Sequence, residues 1–335
     1  MTTVVPASPA PSAAAPPALA RAAALVGPAL DRAVERLDPS LHAPVRHHLR
    51  GGGKCVRAGL VLLSTAAVGG AEEAGVAGAV AVELVHNYSL LHDDIIDGDR
   101  ERRHLPTVWV RYGVGPAIVA GDSLAALATQ VLLDRPTAER VAATRRLADA
   151  NQAMIAGQSA DMAFEGRGSV TLGECLAMER GKTGALLSAA AAVGAILGGA
   201  GGDAVDALAA YGDHLGISFQ AIDDLLGIWG EPATTGKPVG SDLLARKKTL
   251  PVAAAMAAGG AAAEELSTIL SADPTQAGVA RAADLIESTG ARDVVAGIAD
   301  AHLREAIGAL ERVPLARGPK EELVAVAEYV TARDR

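Results

Sequence analysis

The stretch Leu90-Leu91-His92-Asp93-Asp94-Ile95-Ile96-Asp97, followed at once by Gly98-Asp99-Arg100-Glu101-Arg102-Arg103, decides how the rest of the chain is read. It closes a long apolar run that begins near Ala71 and includes Val80, Val82, Leu84, Val85, Tyr88 and Leu91. Helical residues advance by about 100° each, so Asp93 and Asp97 share one face while Asp94 lies to the side. The three carboxylates repel one another and stand at the C-terminal pole of a helix, where negative charge is disfavoured. Hard divalent cations bound by carboxylate oxygens, with phosphate oxygens completing the shell, offset that charge economically. A merely solvated acidic helix end is the alternative. The apolar run feeding it and the arginine pair behind it weigh against that.

The chain has 335 residues, half of them apolar and only 2 % aromatic, so Ala, Leu, Val and Ile must build the core. Small side chains suit close helix packing and β-branched clusters are sparse, which predicts an all-α protein. A net charge of −9 argues against nucleic acid as a partner, because a phosphate backbone demands a basic surface. Cys55 and Cys175 form no disulfide framework, and no secretory signal pattern is visible, so a reducing, cytoplasmic setting is expected. The uncharged run from Thr183 to Gly202 has the length of a membrane span. It is mostly Ala and Gly, and is expected to be a buried bundle helix of a protein that is not membrane-integral.

Residues 1–18 are Ala-, Pro-, Ser- and Thr-rich and uncharged, and are expected to form a disordered tail ahead of a domain over residues 19–335. Such a tail stays extended and could serve as a docking segment for a partner. Helical patterning from Leu19 is interrupted by Gly51-Gly52-Gly53, after which Lys54 and Arg57 share a face of a new helix. The Arg102-Arg103 turn carries the groups best suited to forked phosphate contacts. Gly157-Gln158-Ser159-Ala160-Asp161 places a further carboxylate near a helix end. Lys182-Thr183-Gly184 sits inside the next apolar run, where glycine after lysine predicts a locally loosened helix.

A second constellation, Phe219-Gln220-Ala221-Ile222-Asp223-Asp224-Leu225-Leu226-Gly227, again ends an apolar run. A basic loop follows, with Lys237, Arg246, Lys247 and Lys248. Two acidic helix ends facing each other across a bundle would clamp a diphosphate between metal ions. The chain beyond Pro251 reads as four or five more helices with no sign of a second domain.

Taken together, these elements resemble the isoprenyl diphosphate synthases, the trans-prenyltransferase family, from about Leu19 to the C-terminus. The DDxxD motif is Asp93 to Asp97, GGKxxR is Gly52 to Arg57, and the arginine pair is Arg102-Arg103. GQxxD is Gly157 to Asp161, the KT pair is Lys182-Thr183, and FQxxDD is Phe219 to Asp224. The resemblance implies the isoprenoid synthase fold, one large helical bundle around a deep apolar cavity, and condensation of isopentenyl diphosphate with an allylic diphosphate. It implies three magnesium ions, held by Asp93, Asp97 and Asp223 with Asp94 and Asp224 in support. Arg102, Lys182, Lys237 and Lys247 would neutralise the allylic diphosphate. Lys54, Arg57, His86 and Arg103 would hold the other diphosphate, and Thr183 and Gln220 would stabilise positive charge at the reacting carbons. A homodimer is implied, and some relatives with Ala/Pro-rich tails are packaged in protein shells.

Two positions depart from the family pattern: Gly227 replaces the last aspartate of the second motif, and His104 replaces the glycine after the arginine pair. Tyr88, five positions before Asp93, would form the floor that limits product length, giving a C15 to C20 product with geranylgeranyl slightly favoured. Two other readings share the fold. A class I terpene cyclase would not need Lys54, Arg57 and Arg103, and a non-catalytic subunit would be expected to lose first-motif aspartates.

Overall fold

The computed structural model describes residues 15–231 and 239–332. Most of the Ala/Pro-rich tail, and Lys237 in the basic loop, lie outside the described residues. Helix α1 (Pro17–Val34) starts two residues before Leu19, because proline is well placed in a first helical turn, and Ala18 and Leu19 are already buried. It is followed by α2 (Pro39–Arg50), α3 (Val56–Ala67) and α4 (Glu72–Ile96). A two-stranded hairpin, β1 (Glu101–Arg102) with β2 (Leu105–Pro106), leads to α5 (Val108–Tyr112), α6 (Val114–Leu133) and α7 (Ala138–Glu165). Next come α8 (Leu172–Glu179), a π-helical turn at Arg180–Gly184, α9 (Ala185–Leu197) and α10 (Gly202–Trp229). Within the basic loop a short helix at Ser241–Leu244 precedes five more, from Leu250–Ala258 to Arg317–Thr331. Among the described residues the chain is all-α apart from that hairpin.

The core is built from close helix contacts. Helix α4 packs on α3 and α6, α9 lies against α3, α7 and α10, and α10 is backed by Ala291–Ala309. Ala189 to Ala195 of α9 are all buried, as expected for the uncharged run. A Cβ built on Gly194 would stand 2.8 Å from the Ser64 Cβ, so only glycine lets α9 approach α3 this closely. Helices α4 and α6 are long and apolar enough to cross a membrane by length and composition; α4 is instead a central core helix. A smaller apolar cluster joins α8, the end of α10 and Leu250–Ala258, placing the second acidic end over its own support.

Candidate active site

Helix α4 delivers the first acidic end. Asp97 caps it, its N–H donating to the Asp93 carbonyl at 2.8 Å. Asp94 is buried and accepts from Arg102 Nε at 2.6 Å, while its second oxygen has no hydrogen-bond partner. Arg102 is therefore held at the base of the acidic end by Asp94. Burial pushes Asp93 up to about 6 against the pull of Lys182. The hairpin after α4 turns at Arg103 and His104, with φ of 53° and 63°. Positive φ at both central residues is the twist a two-residue hairpin requires, so the loop keeps its shape without the family's glycine.

That turn sets Arg103 against the glycine loop, its NH2 3.4 Å from where a Cβ of Gly53 would be. A cavity of about 700 Å³ opens here, lined by Lys54, Arg57, His86 and Arg103. The four residues assigned to one diphosphate thus share a single hollow. Arg57 NH1 lies 3.3 Å from His86 Nε2, and its buried Nε has no hydrogen-bond partner. Burial, then Arg57 and Arg103, push His86 well below its usual range, so it remains neutral and able to accept a hydrogen bond. Lys54 sits over the Tyr329 ring at 5.3 Å. Sequence reasoning missed Glu83, which lines the same cavity and accepts from the Ala58 N–H at 3.1 Å, fixing the start of α3. Its signal is its place one turn before Asn87 on the α4 face that carries His86. Leu187, Leu215 and Phe219 supply the apolar wall.

The loosening expected at Lys182 is the π turn. Gly157 makes it possible: a Cβ there would stand 2.8 Å from the Gly181 carbonyl carbon. With α7 pressed on the turn, Lys182 Nζ reaches Asp161 Oδ2 at 2.5 Å. Thr183 Oγ1 donates to Gln220 Oε1 at 2.9 Å, and Gln220 Nε2 donates to Asp224 Oδ1 at 3.1 Å. The Leu250 N–H donates to the other Asp224 oxygen at 2.8 Å. Asp224 is buried and pushed up to about 7 by desolvation, while Asp223 is exposed on the rim. The two adjacent carboxyls therefore stand in different surroundings, one inside and one at the surface. Glu179, also missed, is a buried carboxyl held well above the usual range by desolvation and by Asp224, to which it hydrogen-bonds.

The loop after the second acidic end reaches the first through Lys247, whose Nζ lies 3.3 Å from Asp97 Oδ2. Tyr88 is buried beneath Asp93, its hydroxyl donating to Asn151 Oδ1 and its ring edge-on to His92 at 5.7 Å between centroids. Asn151, on α7, was not singled out in the sequence because asparagine in a helix has no distinctive pattern.

The donor set fits a hard divalent cation. It consists of carboxylate oxygens, one of them on buried Asp94 without a partner, with Asp93 pushed up by burial. Among the described residues no three His, Cys, Asp or Glu side chains converge into a closed metal cage, so further oxygens would have to come from a ligand.

Comparisons with known proteins give the chain a family. A family profile, "Polyprenyl synthetase", matches residues 38–286. A (2E,6E)-farnesyl diphosphate synthase of Mycobacterium tuberculosis is 43% identical over 333 residues, covering 95% of this chain and 93% of the relative. The crystal structure of a polyprenyl synthetase from Streptomyces coelicolor A3(2) superposes with a TM-score of 0.90 at 47% identity, covering 94% of this chain and 98% of that one. A geranylgeranyl pyrophosphate synthase from Corynebacterium glutamicum, solved with isoprenyl diphosphate and magnesium, gives a TM-score of 0.82 at 27% identity, covering 96% and 100%. This chain belongs to the polyprenyl synthetase family.

Proposed function

We propose that this prenyltransferase condenses isopentenyl diphosphate with an allylic diphosphate, giving a C15 to C20 prenyl diphosphate. The observation that carries the reading is the pairing of two subsites. A cavity holds Lys54, Arg57, His86 and Arg103, and the chain carries two acidic helix ends, with Lys247 from the loop after the second reaching Asp97 of the first. One subsite suits a bare diphosphate, the other a diphosphate delivered with cations.

Bound magnesium, three ions by analogy with the family, would stabilise the negative charge developing on the departing diphosphate. Asp93, Asp97 and Asp223 would hold it, and Lys182 and Lys247 would face the same leaving group. The allylic C–O bond breaks and its electron pair leaves with the diphosphate. The double bond of isopentenyl diphosphate then attacks the cation, and a proton passes to the released diphosphate. The oxygens of Thr183 and Gln220 would stabilise the positive charge as it develops, already oriented by their hydrogen bond to each other. Leu187, Leu215 and Phe219, which line the cavity, would keep water from the cation. Tyr88 would close the pocket for the growing chain.

Incubation with magnesium, isopentenyl diphosphate and each allylic primer, with products sized by mass spectrometry, tests the reading. Release of cyclic hydrocarbon without consumption of isopentenyl diphosphate would replace it with a terpene cyclase. The basic cavity favours the transferase, because a cyclase has no second diphosphate to bind.

A homodimer and a cytoplasmic setting accompany the proposal. Exposed Ile118 and Val119 on α6, with Ile155 and Met162 on α7, offer an apolar surface for a second copy, which light scattering would detect. The Ala/Pro-rich tail is proposed as a docking segment for a protein shell. Equal recovery with a co-expressed shell, with and without residues 1–18, would dismiss that idea.

A further inference from the structure

Helix α10 continues through Gly227 to Trp229, so residue 227 lies one turn beyond Asp223 on the same face. The first acidic end carries Asp97 at the equivalent position, and the second carries no side chain there. The space is nevertheless filled. A Cβ built on Gly227 would stand 2.5 Å from the Asp242 Cγ and closer still to Oδ2. Any side chain at residue 227 would have to evict the Asp242 carboxylate.

Several contacts hold Asp242 in that slot. Gly240, at φ 73°, turns the chain into the short Ser241–Leu244 helix, and Leu243 is buried beneath it. Ser241 Oγ lies 3.4 Å from the Gly227 carbonyl oxygen. The Lys247 N–H donates to the main-chain carbonyl of Asp242 at 2.9 Å, tying the backbone of this residue to the lysine that reaches Asp97. The field of Asp242 is felt on both sides, raising Asp224 and Lys247. A third carboxylate beside Asp223 and Asp224, at the negative pole of α10, is costly by itself. Packing alone would be served better by a neutral residue.

We propose that Asp242 supplies, from the following loop, the carboxylate that residue 227 lacks, completing the second acidic end for the cation-bound allylic diphosphate. Gly227 is then a vacated slot, and the acidic end keeps its full set of carboxylates with one drawn from a different segment. This rests on the diphosphate reading above and adds a positioning residue to it.

The test is thermal stabilisation of the full chain by magnesium plus inorganic pyrophosphate, which reads the site without turnover. Asp242→Asn, which keeps size and fold, is expected to raise the magnesium concentration for half-maximal stabilisation about tenfold or more. Its melting temperature without ligand should be equal to or above that of the wild type, because the variant loses a charge that is unfavourable there. Gly227→Ala should do the same although it removes no carboxylate. The exchange Gly227→Asp with Asp242→Ala should restore half-saturation to within about threefold. An Asp242→Asn protein within about twofold of wild type, or an exchange variant that folds but does not recover, would overturn the proposal. Asp223→Asn separates the two ideas. If it abolishes stabilisation while Asp242→Asn does not, only the role of Asp242 fails; if neither has an effect, the diphosphate reading fails as well.

Discussion

Lys247 Nζ lies 3.3 Å from Asp97 Oδ2, joining two segments that are 150 positions apart in the chain. The pair ties the loop after the second acidic end to the tip of the first. Both side chains are partly exposed, so the pair contributes at most about 1 kcal/mol and gives way readily to an incoming diphosphate. Lys247→Ala is therefore expected to leave the melting temperature almost unchanged. It should lower kcat by about two orders of magnitude, because a fixed positive group facing the leaving anion is lost. Steady-state kinetics with saturating magnesium would check both halves.

Tyr88 is expected to set product length through its hold on Asn151. Tyr88→Ala should lengthen the product by at least one five-carbon unit, at a stability cost of roughly 3 kcal/mol for the buried ring. Asn151→Ala keeps the ring but frees its hydroxyl, so a mixture of normal and longer products is expected. Mass spectrometry of extracted prenyl alcohols reads both, and an unchanged distribution in Tyr88→Ala would defeat the floor assignment.

The hairpin turn offers a stability test. His104 has a φ of 63°, which costs a residue with a side chain about 1 kcal/mol relative to glycine. His104→Gly should raise the melting temperature by roughly 2 °C, since the twist is already the one glycine prefers. Differential scanning calorimetry would show it, and a lowered melting temperature would mean that the His104 side chain contributes a stabilising contact.

The acidic end also sets a pH dependence. Burial raises Asp93 to about 6 and Asp224 to about 7 in the folded protein, above their unfolded values. The folded state then binds more protons than the unfolded chain in the intervening range, so these two groups favour folding more as pH falls towards the ordinary aspartate range. Magnesium binding needs the charged forms and should weaken over the same interval. Melting curves between about pH 5 and 8, with and without magnesium and pyrophosphate, should therefore show ligand stabilisation shrinking on acidification. Asp93→Asn should remove part of that slope.

Much of this was legible along the chain. Helix periods and acidic ends are local properties: apolar spacing places Asp93 and Asp97 on one face, and a lysine-glycine pair in an apolar run marks the π turn at Lys182. The basic set of Lys54, Arg57, His86 and Arg103 was readable only with help from the family, because its members come from three separate segments.

What the sequence by itself determined is the all-α class, the two acidic helix ends and the residue types able to bind diphosphate, since each follows from spacing within about two helical turns. Only the tertiary structure decided which charges are spent on one another. Arg102 is held by Asp94, Lys182 reaches Asp161 because Gly157 lets two backbones touch, and Asp242 fills the gap at Gly227. Those pairings depend on how far apart packed helices come to rest, a distance set by side-chain volumes throughout the core rather than by any one stretch of residues.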